Sequence, residues 1–167
     1  YADALITGLA NDFETSAREI SRSVGWPAPV EGGLLFATDV AGDWQLAGDH
    51  SGWSGQAMNR TGGLSWRIEP IQDPGGYKFT DGTTWRHDPH ATQYNYDSFG
   101  QISLIGSPGN HLERYPLPGS GDISARMMRI WVPEAPATHV VYAHDGQNLF
   151  DPAAIWGGWQ LQSSVPA

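Results

Sequence analysis

The sequence contains no cysteine, which excludes disulfide scaffolds, thiol catalysis and zinc–thiolate centres. It contains one lysine, Lys78, and nine Lys and Arg in total against 18 Asp and Glu, for a formal charge of −9. A chain so poor in cations offers no basic stripe to phosphate backbones or anionic membrane surfaces, and nucleic acid is excluded as an expected partner. No apolar run approaches the ~18 residues of a membrane span, and no charged-then-apolar segment opens the chain as an export signal would. Charged residues are also scarce, at 16%, whereas hydrophobic residues reach 40%; a packed core is therefore expected and global disorder is not. What the chain has in abundance is turn formers, 21 Gly and 12 Pro, which point to many short strands. It opens on Tyr1 rather than Met. That leads us to expect a removed upstream segment, whether by export-signal cleavage, by proteolysis or at a cloning boundary.

Four regions follow from the pattern along the chain. In residues 1–29, Leu5, Leu9, Phe13, Ala17, Ile20 and Val24 recur at helical spacing and predict one apolar helix face. Asn11 and Glu14 could cap a restart of that helix, Glu14 and Arg18 form an i,i+4 pair, and Trp26-Pro27-Ala28-Pro29 ends it. Residues 30–106 read as short strands broken by turns, among them Leu34–Ala37, Asp43–Ala47, the alternating Leu64–Ile68, Tyr77–Thr80, Thr83–Arg86 and Ile102–Ile105. Asp81-Gly82 between two of these runs is a hairpin signal. Together they predict an immunoglobulin-like β-sandwich in a mainly β chain. Residues 107–122, rich in Gly, Pro and Ser, read as a linker. In residues 123–167 two further strands are expected, Met127–Pro133 and His139–Ala143. The second lacks polar alternation, as a strand buried on both faces of a mostly parallel sheet would. Since 24 residues follow Ala143, this last region is expected to be the opening of a truncated α/β domain.

Trp53 and Trp85 sit beside Gly and polar residues rather than in apolar runs. A tryptophan face can stack on the apolar face of a pyranose while neighbouring polar groups bond its hydroxyls; the alternative is that both rings cap the sandwich core. His87-Asp88-Pro89-His90 offers an incomplete ligand set and reads as a turn, so no metal or cofactor is expected. Asp39, Asp43, Asp49, Asp73 and Asp81 lie at turn positions, where Asp commonly bonds nearby backbone.

The succession Leu46-Ala47-Gly48-Asp49-His50-Ser51-Gly52-Trp53, Tyr77-Lys78-Phe79, Asp81-Gly82-Thr83-Thr84-Trp85-Arg86-His87-Asp88-Pro89 and Ser98-Phe99-Gly100 resembles the early-set sandwich of glycogen-binding carbohydrate modules (family 48). The resemblance implies that Trp53 and Trp85 stack on sugar rings, that Lys78 bonds hydroxyls and that Phe99 packs beside the sugar. The sugar-contacting Asn that usually follows the last motif is replaced here by Gln101-Ile102-Ser103.

Val140-Val141-Tyr142-Ala143-His144-Asp145-Gly146-Gln147 reads as a strand ending in a polar, Gly-containing loop. This is where an α/β hydrolase turns backbone N–H groups toward an oxyanion; an ordinary strand-end turn is the alternative. The segment from Arg129 to Trp159 resembles the start of the esterase family that includes feruloyl, acetylxylan and enterochelin esterases. By that resemblance His144, Asp145 and Gly146 form the oxyanion loop, and the Gln147 N–H is a donor. No Gly-x-Ser-x-Gly occurs in the chain, so hydrolysis by this chain alone is not expected. The combined expectation is the N-terminal part of an exported bacterial carboxylic-ester hydrolase, secreted or periplasmic, whose sandwich holds a glycan or glycan ester. A stand-alone glycan-binding module and a sandwich that only shapes an esterase entrance are the alternatives. Residues 127–167 are expected to contact the rest of the esterase or another copy of the chain.

Overall fold

Apolar residues alternate along several of the short runs, and that alternation decides which sheet face each run buries. A computed structural model describes residues 13–23, 25–106, 109–144 and 146–164. Its first element is helix α1 (Phe13–Ser23), followed by strands β1 (Ala28–Val30), β2 (Gly33–Thr38), β3 (Gln45–Gly48), β4 (Gln56–Ala57), β5 (Asn59–Thr61), β6 (Leu64–Glu69), β7 (Gly75–Thr80), β8 (Trp85–Arg86), β9 (Gln93–Asp97), β10 (Gly100–Ile105), β11 (His111–Leu117) and β12 (Arg126–Val132). The chain is mainly β. One sheet has the order β1-β2-β6-β5; the other has the order β12-β11-β9-β10-β7-β3-β4, with β8 pairing β7 off this path.

Three apolar layers hold these parts together. Ala17 and Ile20 of α1 cluster with Leu35, Ala37 and Leu64 of the smaller sheet, and Phe13 meets Trp66 at 5.1 Å. Phe36, on the opposite face of β2, packs with Leu46, Tyr77 and Phe79 of the larger sheet, its ring 4.9 Å from that of Tyr77. The two sheets therefore bury a shared core, as in a sandwich. Farther along the larger sheet, Tyr94 of β9 and Leu112 of β11 are covered by Leu149 and Phe150. The expected Glu14–Arg18 pair forms at 2.7 Å, and Arg18 also reaches Asp39 at 2.7 Å, tying the helix to the end of β2. Leu5, Leu9, Asn11 and Val24 lie outside the described residues.

The C-terminal expectations need correction. Within the stretch read as a linker, His111–Leu117 is strand β11, paired to both β9 and β12. Strand β12 runs antiparallel to β11 at the edge of the sandwich's larger sheet and does not begin a parallel one. His139–Ala143 is not a strand: Val140 is 95% exposed, and Val141 and Tyr142 are exposed with it. A strand needs a ladder partner for its N–H and C=O groups, and none of the described strands pairs with this run. No helix among the described residues is long and apolar enough to cross a membrane.

Candidate functional site

The β7–β8 hairpin organises one corner of the larger sheet. Tyr77 and Phe79 join the core, so Lys78 and Thr80 point to the opposite face. The turn is built by Asp81, whose Oδ1 accepts the Thr84 N–H (2.7 Å), the Thr83 N–H (2.9 Å) and the Thr83 hydroxyl (2.8 Å). Hydrogen bonding to its charged form pulls the Asp81 pKa down to about 2. Gly82, at φ 92°, supplies the positive dihedral the turn requires. The register Thr80↔Trp85 and Phe79↔Arg86 puts Trp85 on the Lys78 face and Arg86 on the other.

Trp53 reaches Trp85 from the loop after β3. A 3₁₀ turn at Asp49–Ser51 is followed by two left-handed residues, Gly52 (φ 56°) and Trp53 (φ 62°), and the Trp53 N–H donates to the Gly48 carbonyl at 2.8 Å. A left-handed non-glycine residue costs on the order of 1–3 kcal/mol and tends to mark a ligand site. Asp49 fixes the ring: its Oδ1 accepts the Trp53 indole N–H at 2.9 Å, while its Oδ2 accepts the Gly76 N–H at 2.6 Å. The indole's polar handle is thus used inside the protein, leaving its faces apolar. The two rings stand 6.1 Å apart at 55°, with Trp53 half-buried and Trp85 48% exposed.

Lys78 links this pair to the β9–β10 turn. Its Nζ lies 3.3 Å from the Phe99 carbonyl and 3.8 Å from Asp97 Oδ1, which also accepts the Phe99 N–H at 2.7 Å. The Lys78 side chain is almost fully buried, whereas the Phe99 ring is 86% exposed. Four residues from separate segments are therefore connected through ring contact, sheet face and hydrogen bond. Gln101 departs from the set: the register Ser103↔Tyr77 puts Ile102, not Gln101, on the Lys78 face. The Gln101 amide nitrogen is buried without a hydrogen-bond partner.

The second group of sequence-predicted residues is not drawn together into a site. His144 is exposed, its ring 5.1 Å from that of Tyr142. Asp145 lies outside the described residues. Gly146 and Gln147 belong to a single 3₁₀ turn, Gly146–Asn148, and a side chain at Gly146 would meet nothing within 4 Å. The Trp159 N–H donates to the Asn148 carbonyl at 2.8 Å, and its side chain is exposed. The segment's firm attachments are Leu149 and Phe150.

Asp88 of the His87–His90 run is turned inward. It is completely buried, its Oδ2 accepting the Tyr77 hydroxyl at 2.9 Å and its Oδ1 the His90 N–H at 2.8 Å. Burial pushes its pKa up to about 7 despite those bonds. Burial likewise lowers the pKa of His87 and of His90. No group of three or more His, Asp or Glu among the described residues is arranged to hold a metal.

Sequence reasoning missed Asp49 and Asp97 as supports. It expected Asp49 to bond local backbone, yet that side chain reaches 27 residues along to Gly76. Each stands a few residues before an aromatic it positions, and that spacing was the available signal. Neither a protein-family model nor a curated protein matches the sequence.

Proposed function

We propose that this chain presents a glycan-binding face built from Trp53, Trp85, Lys78 and Phe99, and that the face serves a bacterial carboxylic-ester hydrolase. The observation that carries the first part is the Trp53–Trp85 pair. Two indoles at 6.1 Å, one held in a left-handed conformation and pinned by Asp49, form a fixed apolar wall on a polar surface. Such a wall suits the axial C–H face of a sugar ring. Lys78 has three N–H donors, and the Phe99 carbonyl takes one, which leaves capacity for a sugar hydroxyl. The exposed Phe99 ring extends the apolar surface. A glycan-binding early-set sandwich is the finer fold assignment that goes with this.

The esterase part rests on the resemblance of residues 129–159 to the start of feruloyl- and acetylxylan-type esterases. In it, Val140–Ala143 becomes a strand only when neighbours cover it, and the loop His144-Asp145-Gly146-Gln147 then turns the Gln147 N–H toward an oxyanion. The attacking serine lies elsewhere, since no Gly-x-Ser-x-Gly is present here. The bare apolar run and the edge strand β12 are the surfaces for the remaining esterase or a second copy. Such an enzyme would act outside the bacterial cytoplasm, secreted or periplasmic.

The burial of Lys78 favours a second reading, in which the corner only braces the sandwich and binds no sugar. Affinity electrophoresis through gels containing soluble glucan or xylan separates the two. Retardation that Trp53→Ala and Trp85→Ala each weaken by about tenfold, or ~1.4 kcal/mol, is expected. Equal migration of all three proteins with and without polysaccharide contradicts glycan binding.

A further inference from the structure

Trp85 belongs to two features of this corner. Besides facing Trp53, it lines a cleft of about 270 Å³ together with Val40, Trp44, Phe79, Arg86 and His87. That volume lies just below the ~300–1,000 Å³ of ordinary small-molecule pockets, which suits a single substituted ring. The walls are held from within the protein. Trp44 is nearly buried, and its indole N–H donates to the Val40 carbonyl at 2.9 Å, so the ring is fixed with its polar edge already satisfied. The hairpin that sets Trp85 also sets Arg86, through the register Phe79↔Arg86.

Arg86 is the cation in the lining of this cleft. Arg18 pairs with Glu14 and Asp39, Arg60 with Asp43, Arg67 with Glu69, and Lys78 lies near Asp97. Among the described residues Arg86 has no carboxylate partner, as is also true of Arg22, Arg114, Arg126 and Arg129, and of these five it is the one that lines this cleft. Its guanidinium stands 5.8 Å from the Trp44 ring centroid instead. A planar cation beside aromatic walls, with no carboxylate of the protein bound to it, is equipped for a carboxylate brought by a ligand. The electrostatics of His87 are compatible. Its pKa is lowered by burial, then by Arg114, Lys78 and Arg86, and a neutral imidazole offers a hydroxyl one donor and one acceptor.

We propose that this cleft takes a carboxylated pyranose, a hexuronate residue, with its carboxylate on Arg86 and its ring on the Trp44 side, Trp85 bordering the cleft where β8 passes it. The inference rests on the glycan-binding reading through the shared Trp85, and it narrows the ligand from neutral glycans to chains bearing an acidic sugar. The net charge of −9 repels anions at long range, but that repulsion is screened beyond ~10 Å in 0.1 M salt, whereas the Arg86 contact is direct.

Calorimetric titration of the whole chain with methyl glucuronide, methyl glucoside and maltoheptaose tests it, with Arg86→Gln and Arg86→Lys alongside. The glucuronide should bind about tenfold more tightly than the glucoside or better. Arg86→Gln should abolish that preference and Arg86→Lys should keep part of it, since lysine retains the charge without the planar fork. Arg86 is exposed, so both variants should fold as the parent does. Equal affinity for glucuronide and glucoside, or a preference untouched by Arg86→Gln, overturns the proposal; so does benzoate binding more tightly than the glucuronide. Maltoheptaose binding without any uronide preference would remove the acidic-sugar cleft and leave the Trp53–Trp85 face standing. A uronide preference without maltoheptaose binding would support the cleft and count against that face as a platform for neutral glycans.

Discussion

The runs Tyr77–Thr80 and Val140–Ala143 are similarly rich in β-formers and end in opposite environments. In the first, Tyr77 and Phe79 are buried against Phe36 and Leu46, and the backbone is paired to β3, β8 and β10. In the second, Val140, Val141 and Tyr142 face solvent without a ladder partner among the described residues. β-propensity records how well a side chain fits a pleated, half-buried surface, and that fit is worth nothing until a neighbouring strand supplies the surface. The same contrast separates the two candidate sites. The Trp53–Trp85 corner is braced by Asp49, Asp81 and Asp97, whereas the segment that holds His144 and Gln147 meets the core just downstream of them, at Leu149 and Phe150.

That contrast can be broken by mutation. Phe36→Ala removes the ring shared by both sheets and should cost about 3–5 kcal/mol in denaturant unfolding. Phe150→Ala should instead release the tail: hydrogen exchange should accelerate over residues 146–164 while β7 and β10 keep their protection. Val141→Asp should change stability by less than about 0.5 kcal/mol, because its side chain buries nothing. A loss as large as that of Phe36→Ala would mean that the run is covered in solution.

The buried carboxyl sharpens the comparison from the pH side. The unfolded chain releases the Asp88 proton near its ordinary pKa of 3.8, whereas the folded protein holds it to about 7. Between those values the native state binds more protons, so this group's contribution falls as pH rises, by roughly 4 kcal/mol in all. Burial lowers the pKa values of His50, His87 and His90, which works in the other direction, with stability lost as pH falls below 6.5. Asp88→Asn should therefore remove the loss of stability that this carboxyl contributes as pH rises from about 4 to 7, and leave the opposite, histidine-driven trend in place. Parallel profiles for both proteins in urea titrations would contradict the assignment.

Much of the sandwich was legible in the sequence because its signals are local. Asp81-Gly82 specifies a turn by its own chemistry, and Leu64, Trp66 and Ile68 alternate onto the face that packs against α1. Strand β11 was not legible. Its Pro116 and the Gly and Pro residues around it read as breakers, yet two neighbouring strands hold it through long-range pairing. The run 139–143 failed for the converse reason, since composition promised a strand that no neighbour completes. At the corner itself, the aromatic residues announced themselves, whereas Arg86 did not. Only the folded arrangement brings its guanidinium to 5.8 Å from the Trp44 ring centroid, in the lining of the same cleft.

Isotope-edited NMR of the chain titrated with maltoheptaose tests the central claim most directly, because each tryptophan indole N–H reports separately. Glycan binding at the proposed face should shift the Trp53 and Trp85 indole signals, produce contacts between sugar protons and both rings, and leave Trp26 of the helix-side core unmoved. Saturating maltoheptaose that leaves Trp53 and Trp85 unshifted would contradict it.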